Sequence, residues 1–356
     1  MRFGNLYIAG TGRHLPPPQA VADAVRAGLC ERRAVWRTGI ESVCVSAGES
    51  GPEMAVHAAR RALRQSGGDP AGVALLLHAG TYFQGHDMWA PASYVQRAAL
   101  GNDCPAIEVR QMSNGGLAAL ELAAAYTLAD PARERALITT GDRFARPGFD
   151  RWASDPGTVY ADGGTALVLS SRSGFARLRS LVTVSDPALE AMQRGTDPFS
   201  CAPLTARTPI DVEVQRRAYV AQAGLDTVLD RIDAGQAEAL KRALDDAGAD
   251  LGDIDRFVLP NLGRARMTAH FYGKFDIDPD RTTWDWGRRI GHLGAGDQIA
   301  GLGHLADSGH LLPGHLCLLA GVGAGFTWSV AVVEMLSPPP PPTAAGPTLR
   351  ERTGAA

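Results

Sequence analysis

Buried-strand runs and amphipathic helices alternate along this chain, and their order comes round twice. This alternation constrains the fold most, because it calls for a sheet whose faces are covered by helices. LYIAGTG reads as a strand ending in a glycine turn, and Ser50 to Gln65 as a helix with a capping serine. VALLLHAG is a buried strand, residues 106–110 a short strand, and residues 115–128 an alanine-rich helix. RALITTGD and TALVLSS are further strands. A second series follows: a helix over about 234–247, the strand DRFVLPN, a glycine-rich turn near His292 entering a helix, and two strands around the bend in CLLAGVGAGFTWSVAVVEM. The pattern predicts an internally duplicated α/β fold with halves at 1–175 and 176–336. Residues 194–231 break the alternation and read as an insertion near the join, with a helix through RRAYVAQAGLDTVLD. Consecutive prolines and a lack of apolar periodicity predict an extended, disordered tail over 337–356.

Composition narrows the function classes. The formal net charge of −3 comes with both signs interspersed, which leaves no nucleic-acid footprint and no polybasic membrane patch. The five cysteines are scattered and form no CxxC pair, so neither a disulfide framework nor a zinc site is expected, and a reducing cytoplasm fits. The opening MRFGNLYIAGTG lacks the pattern of a signal peptide, and no apolar run reaches the length of a membrane span. There is no P-loop lysine pattern and no dinucleotide fingerprint.

Three segments can carry chemistry. In EVRQMSNGGLAALELA, Ser113 stands at a turn before a helix, where free N–H groups and the helix dipole favour negative charge. It is either an N-cap or an activated nucleophile. In WGRRIGHLGAGDQIAGLGHL, His292 lies between glycines on a turn before another helix. It is either a structural histidine or a general base. Asp297 either orients His292 or favours the first turn of that helix. GVGAGFTW, residues Gly321 to Trp328, is either a tight hairpin or a bend whose N–H groups approach a ligand.

Taken in order, these segments resemble ketoacyl synthase III over nearly the whole chain, to about residue 335. IAGTGRHLPP is similar to that family's first strand and turn, and WRTGIES to its RTGI segment. CPAIEVRQMSNGGLAALELA is similar to the nucleophile strand and helix, YADGGTALVLS to the GDGAGA stretch, and AGVGAGFTWSVAVVEM to the C-terminal glycine-rich hairpin. The resemblance implies a thiolase fold of five αβαβα layers, a homodimer, and an acyltransferase with no permanently bound cofactor. Its substrate would be an acyl-CoA and its partner an acyl carrier protein.

Carried over position by position, the family pattern departs here in three places. Ser113 stands at the nucleophilic cysteine. LPNLGRAR, residues Leu259 to Arg266, stands at the histidine-containing HQAN motif with Pro260 and Asn261 but no histidine. His292 stands where the family has asparagine. These changes resemble the serine-containing starter-unit proteins of daunorubicin-type aromatic polyketide biosynthesis. That implies propionyl-CoA as donor, with transfer to an acyl carrier protein or condensation with a malonyl extender. Acyl transfer to a hydroxyl of a glycosylated natural product, net hydrolysis as an editor, and a non-catalytic role in a synthase complex are the alternatives. The resemblance further implies an oxyanion hole from the N–H groups of Ser113 and Ala324, and an acyl-pocket gate from Tyr82, Met88 and Trp89, in a segment that reaches across the dimer interface; the alternative is that they are ordinary core side chains. Arg37 would contact CoA adenine, with Arg264 and Arg266 on its phosphates. Arg33 stands where the adenine-pairing tryptophan is usual, and Pro156 where a second stacking arginine is usual.

Overall fold

The structure is a computed structural model that describes residues 1–341. The rest of the proline-rich tail lies outside the described residues. Nine strands form one mixed sheet. They are β1 Tyr7–His14, β2 Leu75–Ala79, β3 Ala106–Val109, β4 Arg135–Asp142, β5 Gly163–Ser170, β6 Ala176–Ser185, β7 Ile254–Val258, β8 Leu316–Gly323 and β9 Thr327–Met335. Their order across the sheet is β3-β2-β4-β5-β1-β6-β9-β8-β7.

The duplication is visible in that order. In the first part β2 and β4 are parallel, β5 runs antiparallel to β4, and β1 antiparallel to β5. In the second part β7 and β8 are parallel, β9 is antiparallel to β8, and β6 antiparallel to β9. The second series lacks only a counterpart of edge strand β3. The two series meet through Tyr7↔Arg177 and Ile8↔Ala176.

Five helices carry the layers: α1 Gly51–Ser66, α2 Gly115–Leu128, α3 Val212–Ala223, α4 Leu225–Ala247 and α5 Asp297–Asp307. Helix α1 covers β1, β4 and β5 from outside, and α4 covers β6 and β9. Helices α2 and α5 form the middle layer, each packed on strands of both series. This is the expected five-layer α/β arrangement. The sequence of α2, GGLAALELAAAYTL, is apolar on nearly every face, as a helix between two sheet faces must be. Leu117 and Leu120 are fully buried there, and each such side chain contributes about 1.5–3 kcal/mol of burial.

One helix boundary differs from expectation. The run RRAYVAQAGLDTVLD is broken at Gly224, whose φ of 85° and ψ of 133° leave the helical region. Helix α4 then continues without interruption through the helix expected over 234–247, because its apolar face repeats through Val228, Ile232, Ala239 and Ala243. Among the described residues no helix is long and apolar enough to cross a membrane.

Candidate active site

Ser113 sits in a single tight turn, Met112–Asn114, between β3 and the N-terminus of α2. Met112 takes a left-handed φ of 49°, which costs a non-glycine residue about 1–3 kcal/mol and is typical of functional turns. The turn is locked from below by Asn114. Its amide donates to Gln111 Oε1 at 2.6 Å and to Ser329 Oγ on β9 at 2.7 Å. The first turn of α2 packs directly on the turn that precedes α5. A Cβ on Gly116 would stand 2.4 Å from the Ala295 carbonyl oxygen, so only glycine permits this approach. The N-termini of both middle helices are thereby brought to one point.

At that point three side chains join in a line. Ser113 Oγ is 2.8 Å from His292 Nε2. His292 Nδ1 is 2.6 Å from Asp297 Oδ2. Asp297 is the first residue of α5 and is buried. It accepts the Leu293 N–H at 2.8 Å, the Asn261 N–H at 2.8 Å and the Asn261 side-chain amide at 3.2 Å. Asn261 also donates to the Gly291 carbonyl at 2.9 Å. An ionised carboxylate only accepts, so Nδ1 of His292 carries the hydrogen and Nε2 is free to accept from the serine hydroxyl. Burial alone would lower the His292 pKa, but the Asp297 carboxylate overcomes it and holds the imidazole above its usual value. Such a relay can take a proton from a serine and return it to a leaving group.

The line opens into a cavity of about 320 Å³. Met192, Val220, Val228, Ile232, Phe271 and Phe326 give it apolar walls, and Ala324 lines it near Ser113. Ser113 and Ala324, the two expected oxyanion donors, thus border the same cavity. Tyr160 stacks edge-on against His292, with ring centres 5.0 Å apart. Its hydroxyl donates to Asp155 Oδ2 at 3.3 Å, and burial followed by the Asp155 charge pushes the phenol well above its usual pKa.

The expected CoA-binding arginines are placed differently from one another. Arg266 lines the cavity but is engaged within the protein. Its guanidinium forks onto Asp155 at 2.8 and 3.0 Å and also binds Thr158 Oγ1 and the Pro156 carbonyl. Burial alone would raise the Asp155 carboxyl, but the hydrogen bonds and charge of Arg266, then of Arg216, hold it at about 2. Arg264 is exposed, its guanidinium 5.6 Å from the centre of the Trp284 ring. Arg37 is exposed as well. A shallow depression lined by Arg26, Arg32, Arg33, Trp36 and Arg288 lies on the same face of the RTGI segment.

The segment of the expected gate runs away from its own chain's cavity. Asp142 at the end of β4 accepts the N–H groups of Thr81 and Tyr82 at 2.8 Å each, and burial pushes this carboxyl up to about 6. Thr81 consequently faces the cavity. Tyr82 instead packs on Phe144 and Phe149, Trp89 is exposed, and Met88 is fully exposed. None of the three lines the cavity within one chain. Sequence reasoning passed over Tyr160, Asp155 and Arg216. It met Asn261 only as the occupant of a substituted motif.

Comparison with known proteins bears on the family and the fold. Residues 244–335 match the family model described as 3-oxoacyl-[acyl-carrier-protein] synthase III C terminal. The beta-ketoacyl-[acyl-carrier-protein] synthase III of Erythrobacter litoralis is 27% identical over 92% of this chain and 98% of its own. The corresponding protein of Rhizorhabdus wittichii is 28% identical over the same shares. The solved structure of the acyltransferase ChlB3 superposes with a TM-score of 0.91 at 35% identity, covering 95% of this chain and 99% of that one. The 3-oxoacyl synthase III of Aquifex aeolicus shares the fold, with a TM-score of 0.73 at 18% identity. The 35% identity to ChlB3 over nearly the full length, together with the matched family model and the curated relatives, settles the affiliation: the chain belongs to the ketoacyl-acyl carrier protein synthase III family of the thiolase superfamily and is an acyl-transferring enzyme of that type.

Proposed function

We propose that this enzyme carries a short acyl group, propionyl in the first instance, from acyl-CoA onto Ser113 and passes it to the thiol of an acyl carrier protein. The reading places it at starter-unit selection in aromatic polyketide biosynthesis of the anthracycline type. The observation that carries acyl transfer is the continuous hydrogen-bonded line from Ser113 Oγ through His292 to Asp297. His292 Nε2 takes the serine proton as Oγ attacks the thioester carbonyl, and the N–H groups of Ser113 and Ala324 receive the oxyanion. The tetrahedral intermediate collapses, the C–S bond breaks, and the thiolate of CoA leaves with the proton from Nε2. The acceptor thiol then gives its proton to His292 and attacks the acyl-serine; the C–S bond forms, the C–O bond to Ser113 breaks, and Oγ takes the proton back from Nε2.

Decarboxylative condensation is a poorer fit. It forms an enolate that needs two side-chain donors beside the nucleophile. Here the imidazole Nε2 faces the serine, and the Asn261 amide is committed to Asp297 and Gly291. A hydroxyl acceptor is the second reading, favoured by the same His–Asp base. An alcohol requires deprotonation, and ester-to-ester exchange avoids the uphill step from ester to thioester. The basic depression beside Trp36 is a better candidate for the CoA phosphates than the engaged Arg266. In the homodimer implied by the family, a second copy would cover Met88.

Intact-protein mass spectrometry after mixing with acetyl-, propionyl- or malonyl-CoA tests the acyl-serine. An adduct is expected on the wild type and absent from Ser113→Ala. A folded wild type that takes no acyl group from any CoA would refute a CoA donor. The fate of the adduct with a carrier thiol or an alcohol then separates the two acceptors.

The raised His292 pKa sets the pH dependence. The base must be neutral, so kcat/KM should climb with pH through a midpoint above 6.5, the usual imidazole value. The stability contribution of the His292–Asp297 pair runs the other way. It is fully present below the unfolded pKa and is lost as pH rises through the higher folded one. A pH–rate profile with a midpoint at or below 6.5 would contradict this electrostatic reading.

A further inference from the structure

Helix α3 lies on the outside of the core. Of its 12 residues only Val212, at its start, is buried, while Tyr219, Val220 and Ala223 rest partly buried on the core. The segment before it, residues 196–211, has no regular structure, and Gly224 after it adopts a backbone that other residues disfavour. Elements with so few buried contacts open locally at low free energy. Two α3 residues, Arg216 and Val220, nevertheless form part of the wall of the Ser113 cavity.

What ties the helix to that wall is one charge-assisted contact. Arg216 Nη2 donates to Asp155 Oδ1 at 2.9 Å, while its Nη1 donates to Glu213 within the helix at 3.1 Å. Asp155 is 6% exposed. The remaining side-chain ties of α3 run to the periphery: Gln215 to Asp197 at 3.2 Å, and the Tyr219 hydroxyl to the Ala188 carbonyl at 2.6 Å. Among the described residues, no other ion pair joins α3 to the cavity.

We propose that Arg216 is a specificity-determining residue: through Asp155 it holds α3 down as a lid, so the closed cavity accepts short acyl groups and turns away long ones. With the latch made, Val220 and Arg216 bound the space facing Ser113. With it broken, α3 can swing on Gly224 and residues 196–211, and the cavity lengthens along the face of α4 that carries Leu225 and Leu229. Both leucines line the cavity, and both are partly exposed to solvent already. An alkyl chain that entered would meet an apolar surface there. The proposal rests on Ser113 as the acylated residue.

The test compares Arg216→Met with Arg217→Met. Arg217 lies on the same helix and pairs with the same Glu213, but it is exposed and does not line the cavity. Rates of acyl-enzyme formation are measured by mass spectrometry with propionyl-CoA and octanoyl-CoA, and amide hydrogen exchange is followed over residues 212–223. R216M should raise the octanoyl-to-propionyl rate ratio at least tenfold and speed exchange in α3, while R217M leaves both as in wild type. R216K keeps the charge but not the fork, and should fall between. Unchanged exchange in R216M would refute the latch. Faster exchange with an unchanged rate ratio would refute the length filter. If no protein is acylated by either CoA, the Ser113 reading has failed and the specificity claim falls with it, while the exchange comparison still decides the latch.

Discussion

Asp297→Asn should lower kcat about 10⁴-fold while leaving a folded protein. The reason lies in the donors around the carboxylate. Oδ2 accepts from His292 Nδ1 and the Asn261 N–H, and Oδ1 accepts from the Leu293 N–H and the Asn261 amide. An asparagine must put its NH₂ at one of these sites. At the Oδ1 site it would oppose two donors. At the Oδ2 site it opposes only the Asn261 N–H, so that orientation is preferred. There the NH₂ faces His292 Nδ1, and the imidazole changes tautomer to accept from it. Nε2 then carries the hydrogen and points it at Ser113, which can no longer be deprotonated.

The cost to stability should be far smaller than the cost to rate. One buried donor is left unpaired, worth about 1–3 kcal/mol. Thermal unfolding and steady-state kinetics on the same sample separate the two effects. Activity within tenfold of wild type would mean that Asp297 serves the turn and not the imidazole.

That residue also shows where sequence reasoning stopped. Ser113 and His292 were legible because each stands on a turn that opens a helix, a local pattern. Two roles were open for Asp297, and a gap of five residues across a glycine turn does not choose between them. The fold gives it both. It starts α5, receives the Leu293 N–H, and holds the imidazole with its other oxygen. Asn261 could be placed at a substituted motif but not assigned a partner, because that partner lies 36 positions away.

The partner of Arg266 was hidden for the same reason. An arginine beside a tunnel motif looks free until Asp155, 111 positions earlier, is folded against it. The course of Tyr82, Met88 and Trp89 away from their own chain's cavity has a backbone reason. Asp142 pins the N–H groups of Thr81 and Tyr82, which turns Thr81 inward and carries the following loop outward. The duplicated α/β order, by contrast, depends on periodicity within each element and was readable for most of them, though strand β6 and the helix Pro91–Ala99 were not among those read. The break at Gly224 required the tertiary packing of α3 and α4.

Whether the three side chains act as one unit can be settled by comparing Ser113→Ala, His292→Ala and the double variant. In a relay of this kind, removing the nucleophile or the base costs about 10⁶ in kcat, and removing both costs little more. The losses are not additive because each group works only through the other. The residual rate then comes from binding and the oxyanion donors, which neither substitution touches. A different pattern would rewrite the chemistry. If His292→Ala is severe but Ser113→Ala costs less than a hundredfold, the imidazole deprotonates the acceptor itself and the acyl group moves directly from thioester to acceptor. If both single losses are small and multiply in the double variant, the 2.8 Å contact between Oγ and Nε2 is not the one that reacts. Near-equal losses in all three variants, with Ser113→Ala also unable to retain an acyl group, would establish the covalent route.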